Sequence, residues 1–335
     1  MSKRILVVSQ RVPYPPNKGE KIRTFHQIQC LINEGYKVDV CCSISDDEEK
    51  KQLSDLNEKI NGSTFGFSYK TPRWLRLFKG LFSSKSLSEA NFHNMALQHW
   101  LTNYASANEY LAALFTASSL FTYASALEKE SNRKRSQHTP RILIDFMDVD
   151  SDKWQQYAAQ SSWPMTQLYR REASLVRKLE KACVHIADKV FLIAQSEIAL
   201  FSKTVVSSSN VVELGNGIDA HEFKPAASNF STKPSNYNLL FTGVMDYKPN
   251  IDAVLWFTKE IWPKVVDKFP TATFTIAGMN PTDAVKKLSE LQGIEVTGFV
   301  DDIMPYFQNA SAFVAPFQIA RGVQNKVLQA MSCGL

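Results

Sequence analysis

Residues 319–331, Ile-Ala-Arg-Gly-Val-Gln-Asn-Lys-Val-Leu-Gln-Ala-Met, place two fixed positive charges and a glycine where a strand pattern gives way to a helical one. On a helix Arg321, Asn325 and Gln329 fall four residues apart on one polar stripe, while Val323, Val327, Ala330 and Met331 form an apolar face. The start of such a helix offers free backbone N–H groups and the positive end of the helix dipole. Together with Arg321, Gly322 and Lys326 that suits a diphosphate. The same pattern also describes an ordinary amphipathic helix with solvated polar residues. A second cluster, residues 240–250, ends a strand in Gly243 and leads into a helix. Gly243 permits a close backbone approach and Lys248 reaches a phosphate, although one glycine and one lysine equally make a plain turn. Asn216-Gly217-Ile218-Asp219 is a turn signal of the same kind.

The elements that must position these residues alternate between short β-rich runs and helical patterns, as in parallel sheets with helices on both faces. Strands are expected at 4–9, 37–44, 63–68, 111–116, 141–145, 189–193 and 211–214, and then at 239–242, 273–277, 295–297 and 312–315. Helices are expected at 22–34, closed by Gly35, at 251–269 and at about 323–331, with Gly334 as a C-cap. The small, polar stretch 226–237 reads as a linker between an N-terminal doubly wound domain, 1–225, and a C-terminal one, 238–335. Two such domains in tandem are expected to face a cleft at their strand C-terminal ends. The chain stops where another strand is due, so the second domain reads as incomplete.

Composition narrows the classes. A chain of 335 residues with 44% hydrophobic and 21% charged residues is long enough for two cores, and is neither collagen-like nor disordered. No GxGxxG, P-loop, HExxH or GxSxG pattern occurs, which counts against dinucleotide, P-loop, zincin and α/β-hydrolase chemistry. Cys30, Cys41, Cys42, Cys183 and Cys333 lack metal-ligand spacing, so no metal site is expected, and their odd, scattered placement fits a reducing cytoplasm. The basic start Met-Ser-Lys-Arg precedes too short an apolar run for a signal peptide, and no stretch reaches the roughly 18 apolar residues that span a bilayer.

Several segments together resemble a known family. Residues 11–19 (Arg-Val-Pro-Tyr-Pro-Pro-Asn-Lys-Gly), 145–154 (Asp-Phe-Met-Asp-Val-Asp-Ser-Asp-Lys-Trp), 216–219, 241–250 and 320–331 are similar to GT-B glycosyltransferases of family 4, most of all to the sugar transferases of PEP-CTERM/exosortase exopolysaccharide systems. The resemblance implies two Rossmann-like domains facing a cleft, and sugar transfer from a nucleoside-diphosphate donor, with retention and without an obligatory metal. The nucleotide sugar is then a co-substrate and no cofactor is expected. By the same resemblance the donor side holds Gly243 and Lys248 near the diphosphate, Arg321, Gly322, Asn325 and Lys326 around phosphate and sugar, and Gln329 at the ribose. The acceptor side holds Asn17, Lys18, Gly19, Glu20 and Ser151, and Asp148 and Asp150 face the cleft. Arg321 and Lys326 are the expected stabilisers of the leaving diphosphate; Asp148 or Asp150 orients the acceptor hydroxyl or steadies an oxocarbenium-like centre, unless both serve as N-caps. Where the family carries two glutamates eight positions apart this chain has Arg321 and Gln329. Glutamine lacks the charge that strengthens bonds to ribose hydroxyls.

The net charge of +5 concentrates in one place: Lys70, Arg73, Arg76, Lys79 and Lys85 occur without an acidic residue among them. Trp74, Phe78 and Phe82 share one helical stripe there, the pattern of a basic amphipathic helix on an anionic membrane, or of a helix packed on its own domain with its basic side in water. No nucleic-acid fold accompanies it. The expected partners are a nucleotide-sugar donor, a glycan or lipid-linked acceptor and a membrane surface touched through Lys70 to Lys85, with the protein cytoplasmic at the inner face of the membrane. The alternatives are a GT-B sugar-nucleotide epimerase and an inactive nucleotide-sugar binder.

Overall fold

In β1 (Arg4–Ser9) Ile5 and Val7 point to one face and Leu6 and Val8 to the other, and all four are buried. A strand buried on both faces needs helices on both, which is how parallel sheets occur. The computed structural model describes residues 3–17, 19–105, 110–133, 139–225, 237–318 and 324–335. It forms two units, Met1–Gly215 and Asn216–Leu335.

After β1 the first unit continues through α1 (Gly19–Asn33), β2 (Lys37–Ile44), α2 (Asp47–Asn57), β3 (Thr64–Ser68), α3 (Arg73–Leu81), α4 (Leu87–Phe92) and α5 (Met95–Asn103). Then come β4 (Ala112–Phe115), α6 (Phe121–Arg133), β5 (Arg141–Met147), α7 (Asp150–Ala159), α8 (Met165–Ile186), β6 (Lys189–Leu192), α9 (Gln195–Thr204) and β7 (Val211–Glu213). The seven strands are parallel in the order β3-β2-β1-β4-β5-β6-β7, the doubly wound order, which reverses between β1 and β4. One face packs Leu6, Val8, Phe115 and Ile144 with Tyr123 and Phe201; the other packs Ile5, Val7, Val38 and Val40 with Ile28 and Leu56. Burying one such Val, Leu or Ile stabilises by roughly 1.5–3 kcal/mol.

The second unit runs through β8 (Asn238–Thr242), α10 (Lys248–Glu260), α11 (Trp262–Lys268), β9 (Thr273–Ala277), α12 (Asp283–Lys286), β10 (Ile294–Gly298), α13 (Met304–Asn309), β11 (Ala312–Phe313) and α14 (Asn325–Ser332). Its four parallel strands lie in the order β10-β9-β8-β11, which repeats the reversal of the first sheet. The single helix expected at 251–269 is two, because Pro263 sits in the first turn of α11, where it cannot donate back to α10. Residues 216–225 belong with this unit and not with the first: Phe223 is buried against Phe307, with Leu240 and Ala330 in the same cluster. The expected linker lies almost wholly outside the described residues. Among the described residues no helix is long and apolar enough to cross a membrane.

Candidate functional site

In the second unit the sheet reverses between β8 and β11, and the segments that follow these two strands supply the residues of interest. Lys326, in the first turn of α14, donates to Asn250 Oδ1 at 2.8 Å, and Asn250 Nδ2 donates to the Val244 carbonyl at 2.8 Å. The ammonium stands 4.7 Å from the Phe241 ring centre and 5.0 Å from that of Phe317. Among the described residues no carboxylate pairs with it. Burial lowers its pKa to about 8, since leaving water penalises the charged form and no anion compensates. Gly243 explains the space: a Cβ there would lie 2.7 Å from both Lys326 Nζ and Asn250 Nδ2. Its own N–H is already spent on the Ala277 carbonyl. Gly278, at φ +150°, crosses so closely that its Cβ would meet the Gly243 carbonyl oxygen, which fixes the turns after β8 and β9 against each other.

The other donor-side expectations fall variously. Asn325 Oδ1 accepts from Asn216 Nδ2 at 2.6 Å, which ties the Asn-Gly-Ile-Asp turn to α14. Gln329 is half-buried one turn further along that helix. Lys248 is exposed and bonded to Asp252 at 2.8 and 3.1 Å, so its charge is held along α10 and none of its contacts reaches Lys326. Arg321 and Gly322 lie outside the described residues.

In the first unit Asp148 and Asp150 stand at the start of α7, preceded by Met147 at φ +65°. The N-cap reading does not hold for this helix, whose cap is Val149: the N–H groups of Val149 and Ser151 donate to Glu197 Oε2 and Glu180 Oε1, each at 3.0 Å. Burial raises the Asp150 pKa, with Asp148 adding to it and Lys153 opposing. Burial likewise raises Glu180, to about 7, against the bonds from Ser151. Ser151, expected on the acceptor side, is fully buried, its N–H held by Glu180, so it is not exposed to an acceptor. Asn17 is exposed, Gly19 opens α1 with room for a side chain, and Glu20 pairs with Arg11 at 3.1 Å. Lys18 lies outside the described residues. Among those described, no three His, Cys, Asp or Glu side chains are placed to hold a metal ion.

The sequence reading missed a buried ion pair of this unit. Arg23 on α1 meets Asp145 on β5 through two bonds, 2.6 and 3.1 Å, and donates to the carbonyls of Leu214 and Gly215, while Gln27 donates to the same carboxylate at 2.6 Å. It also missed Asn250, whose place on the buried stripe Asn250, Ala253, Val254, Phe257 of α10 was the available signal.

Residues 236–335 match the family model described as Glycosyl transferases group 1. Nearly the whole chain superposes on sucrose-phosphate synthase from Thermosynechococcus elongatus, at 15% identity and a TM-score of 0.61, covering 99% of this chain and 79% of that one. It does so equally on Anabaena HepE in complex with UDP and glucose, at 13% identity and a TM-score of 0.60, covering 99% and 78%. Two Rossmann-like units with matching strand orders, similar over this length to such structures, decide the architecture. The fold is GT-B. At these identities the GT-B likeness is one of fold. A relative of 20% identity, an uncharacterized 44.6 kDa protein in the cps region of Klebsiella pneumoniae, aligns over 345 positions, 98% of this chain and 80% of that protein.

Proposed function

We propose that the chain is a glycosyltransferase that moves a sugar from a nucleoside-diphosphate-sugar donor to a glycan or lipid-linked acceptor in polysaccharide assembly. Within GT-B enzymes we place it in family 4, beside the exosortase-associated sugar transferases, as a retaining and metal-independent hexosyltransferase. The observation that carries the reading is Lys326, a cation held on two aromatic faces and one amide at the strand reversal, with no carboxylate of its own among the described residues. An anion such as the diphosphate of the donor completes it. As the sugar departs, negative charge grows on the diphosphate, and a pre-placed ammonium in a poorly hydrated setting stabilises that charge without reorganisation. Arg321 and Gly322 act beside it, Asn325 and Gln329 bind sugar and ribose, and Gly243 keeps the turn open. Asp148 or Asp150 orients the acceptor hydroxyl. The group 1 match to 236–335, the UDP and glucose in HepE and the cps-region relative support donor class and pathway.

Helix α3 supports an acceptor met at the membrane. It packs inward through Gly80, whose Cβ would lie 2.7 Å from that of Ala90, and Arg171 holds its end by donating to the carbonyls of Gly80 and Ser83. That docking leaves Trp74, Phe78 and Phe82 facing out, 68%, 54% and 80% exposed, beside Arg73 and Lys79. Aromatic side chains among cations suit an anionic lipid surface. Co-sedimentation with anionic vesicles that weakens with salt is expected, and equal binding to neutral vesicles refutes it.

A thermal-shift screen with UDP, GDP, ADP and their sugars tests the donor reading, because a ligand bound only by the folded state raises stability by mass action. A rise with one nucleotide family is expected; none with any defeats the reading. Incubation with donor alone then separates transfer from epimerisation, since an epimerase converts the sugar without an acceptor.

A further inference from the structure

The groups that hold Lys326 among the described residues are all neutral. Two are the faces of Phe241 and Phe317, which attract a cation through their π electrons, and the third is the side-chain amide of Asn250. The charged groups of the neighbouring segments are engaged with one another or elsewhere: Asp246 accepts from Asn280 Nδ2 at 3.1 Å, and Lys248 pairs with Asp252. Burial is the single cause of the lowered Lys326 pKa, and no ionisable side chain among the described residues contributes to it.

Asn250 is 5% exposed, and both of its side-chain polar atoms are engaged. Nδ2 donates to the Val244 carbonyl at 2.8 Å, and Oδ1 accepts from Lys326 Nζ at 2.8 Å. These partners fix which way the amide faces, since a carbonyl cannot donate and an ammonium cannot accept. Of the side chains with this shape, asparagine alone serves both neighbours. Aspartate would set an oxygen against the Val244 carbonyl and give Lys326 a permanent counter-charge, whereas leucine would leave both groups without a partner. A buried lysine is ordinarily paired, because an uncompensated ammonium costs free energy. A neutral cradle keeps that cost in the unliganded protein and reserves the attraction for an incoming anion, with the ammonium already ordered.

We propose that Asn250 is the positioning residue of this anion position, its neutral amide holding the Lys326 ammonium in place for the diphosphate of the donor without compensating its charge. The inference deepens the donor reading and rests on it. Three variants of the full chain, Asn250→Asp, Asn250→Ala and Lys326→Met, separate the two. Calorimetry uses UDP, or GDP or ADP where the thermal screen selects it. At pH 7 Asn250→Asp should bind at least about tenfold more weakly than the parent protein, because the new carboxylate competes with the diphosphate for the ammonium. Asn250→Ala, which loses one hydrogen bond and adds no charge, should bind roughly threefold to tenfold more weakly, and it keeps the test decisive should Asn250→Asp not fold. The pH profile carries what a merely structural asparagine would not move. Affinity in the parent protein falls as pH rises through about 8; Asn250→Asp should move that fall upward, toward the ordinary lysine range, because a carboxylate keeps the ammonium charged. The same movement is read without nucleotide, by NMR, from the lysine Cε resonance that Lys326→Met removes. Affinity unchanged in both Asn250 variants and lost in Lys326→Met overturns the proposal and keeps the donor reading. A Lys326 titration unmoved by Asn250→Asp also overturns it. Nucleotide that binds Lys326→Met as tightly as the parent protein, or binds neither, defeats the donor reading and the proposal with it.

Discussion

Two cations withdrawn from water meet opposite fates in this molecule. In the first unit Arg23 is paired, with both oxygens of Asp145 and with two backbone carbonyls, and Gln27 also donates to the carboxylate. In the second unit Lys326 has an amide and two ring faces and, among the described residues, no counter-charge. A paired buried charge locks elements together: the Arg23 guanidinium ties α1 to β5 and to the chain just beyond β7. Lys326, without a carboxylate partner among the described residues, has its pKa lowered by burial instead, and that is why we propose it as an anion position. The two differ in what their removal does.

The largest effect is expected at the paired charge. Asp145→Ala leaves Arg23 buried without compensation and should cost about 3–5 kcal/mol, read by urea denaturation of the first-unit transition. The double variant Arg23→Met, Asp145→Leu should recover most of that loss, since apolar packing often replaces a buried ion pair at little cost. A loss under about 1 kcal/mol for Asp145→Ala, within the range of an exposed pair, would erase the contrast between the two cations.

Lys326→Met should do the reverse: stability holds or rises, because a desolvated charge is gone, while nucleoside diphosphate affinity falls at least tenfold, about 1.4 kcal/mol. Calorimetry with UDP, or with the nucleotide the thermal screen selects, measures it, and unchanged affinity removes Lys326 from the site. The same group sets a smaller pH effect. Only the ammonium attracts the diphosphate, so affinity should fall as pH rises through about 8. Stability runs the other way. Between about 8 and the ordinary lysine value of about 10.4 the unfolded chain holds a proton that the folded one has lost, so the second unit gains stability as pH rises through that window. Lys326→Met should abolish both trends.

The sequence made the strands legible, because two-sided burial writes near-continuous apolar runs such as Ile5-Leu6-Val7-Val8. It made Lys326 legible too, through its place at a helix start after a strand. What surrounds Lys326 was not, because Asn250 and Phe241 come from segments more than seventy positions away and only the fold brings them in. The Arg23 and Asp145 pair is separated by 122 positions and was missed for the same reason. Lys248 is different: Asp252 stands one helical turn on, a partner visible in the sequence, and the two side chains pair across that turn. Ser151 is polar, as the sequence shows, but it is buried with its N–H bonded to Glu180, which sequence spacing alone does not reveal.

The smallest effect tests whether the carboxylates around α7 belong with the paired or the unpaired kind. Burial lifts Glu180 to about 7, with Asp150 adding to the rise, while Ser151 and Arg177 oppose it. A group whose folded pKa lies above its unfolded value holds its proton more tightly when folded. The stability it confers is complete below about 4.3, the ordinary glutamate value, and is lost as pH climbs through about 7. Glu180→Gln keeps an acceptor for the Ser151 N–H and removes the titration, so it should flatten the first-unit stability profile between these pH values while leaving the fold in place. A profile unchanged by Glu180→Gln would mean that Glu180 stays ionised across this range, compensated as Asp145 is. The start of α7 would then be another structural lock, and Asp148 and Asp150 would lose the proton-holding neighbour that distinguishes them from ordinary surface acids.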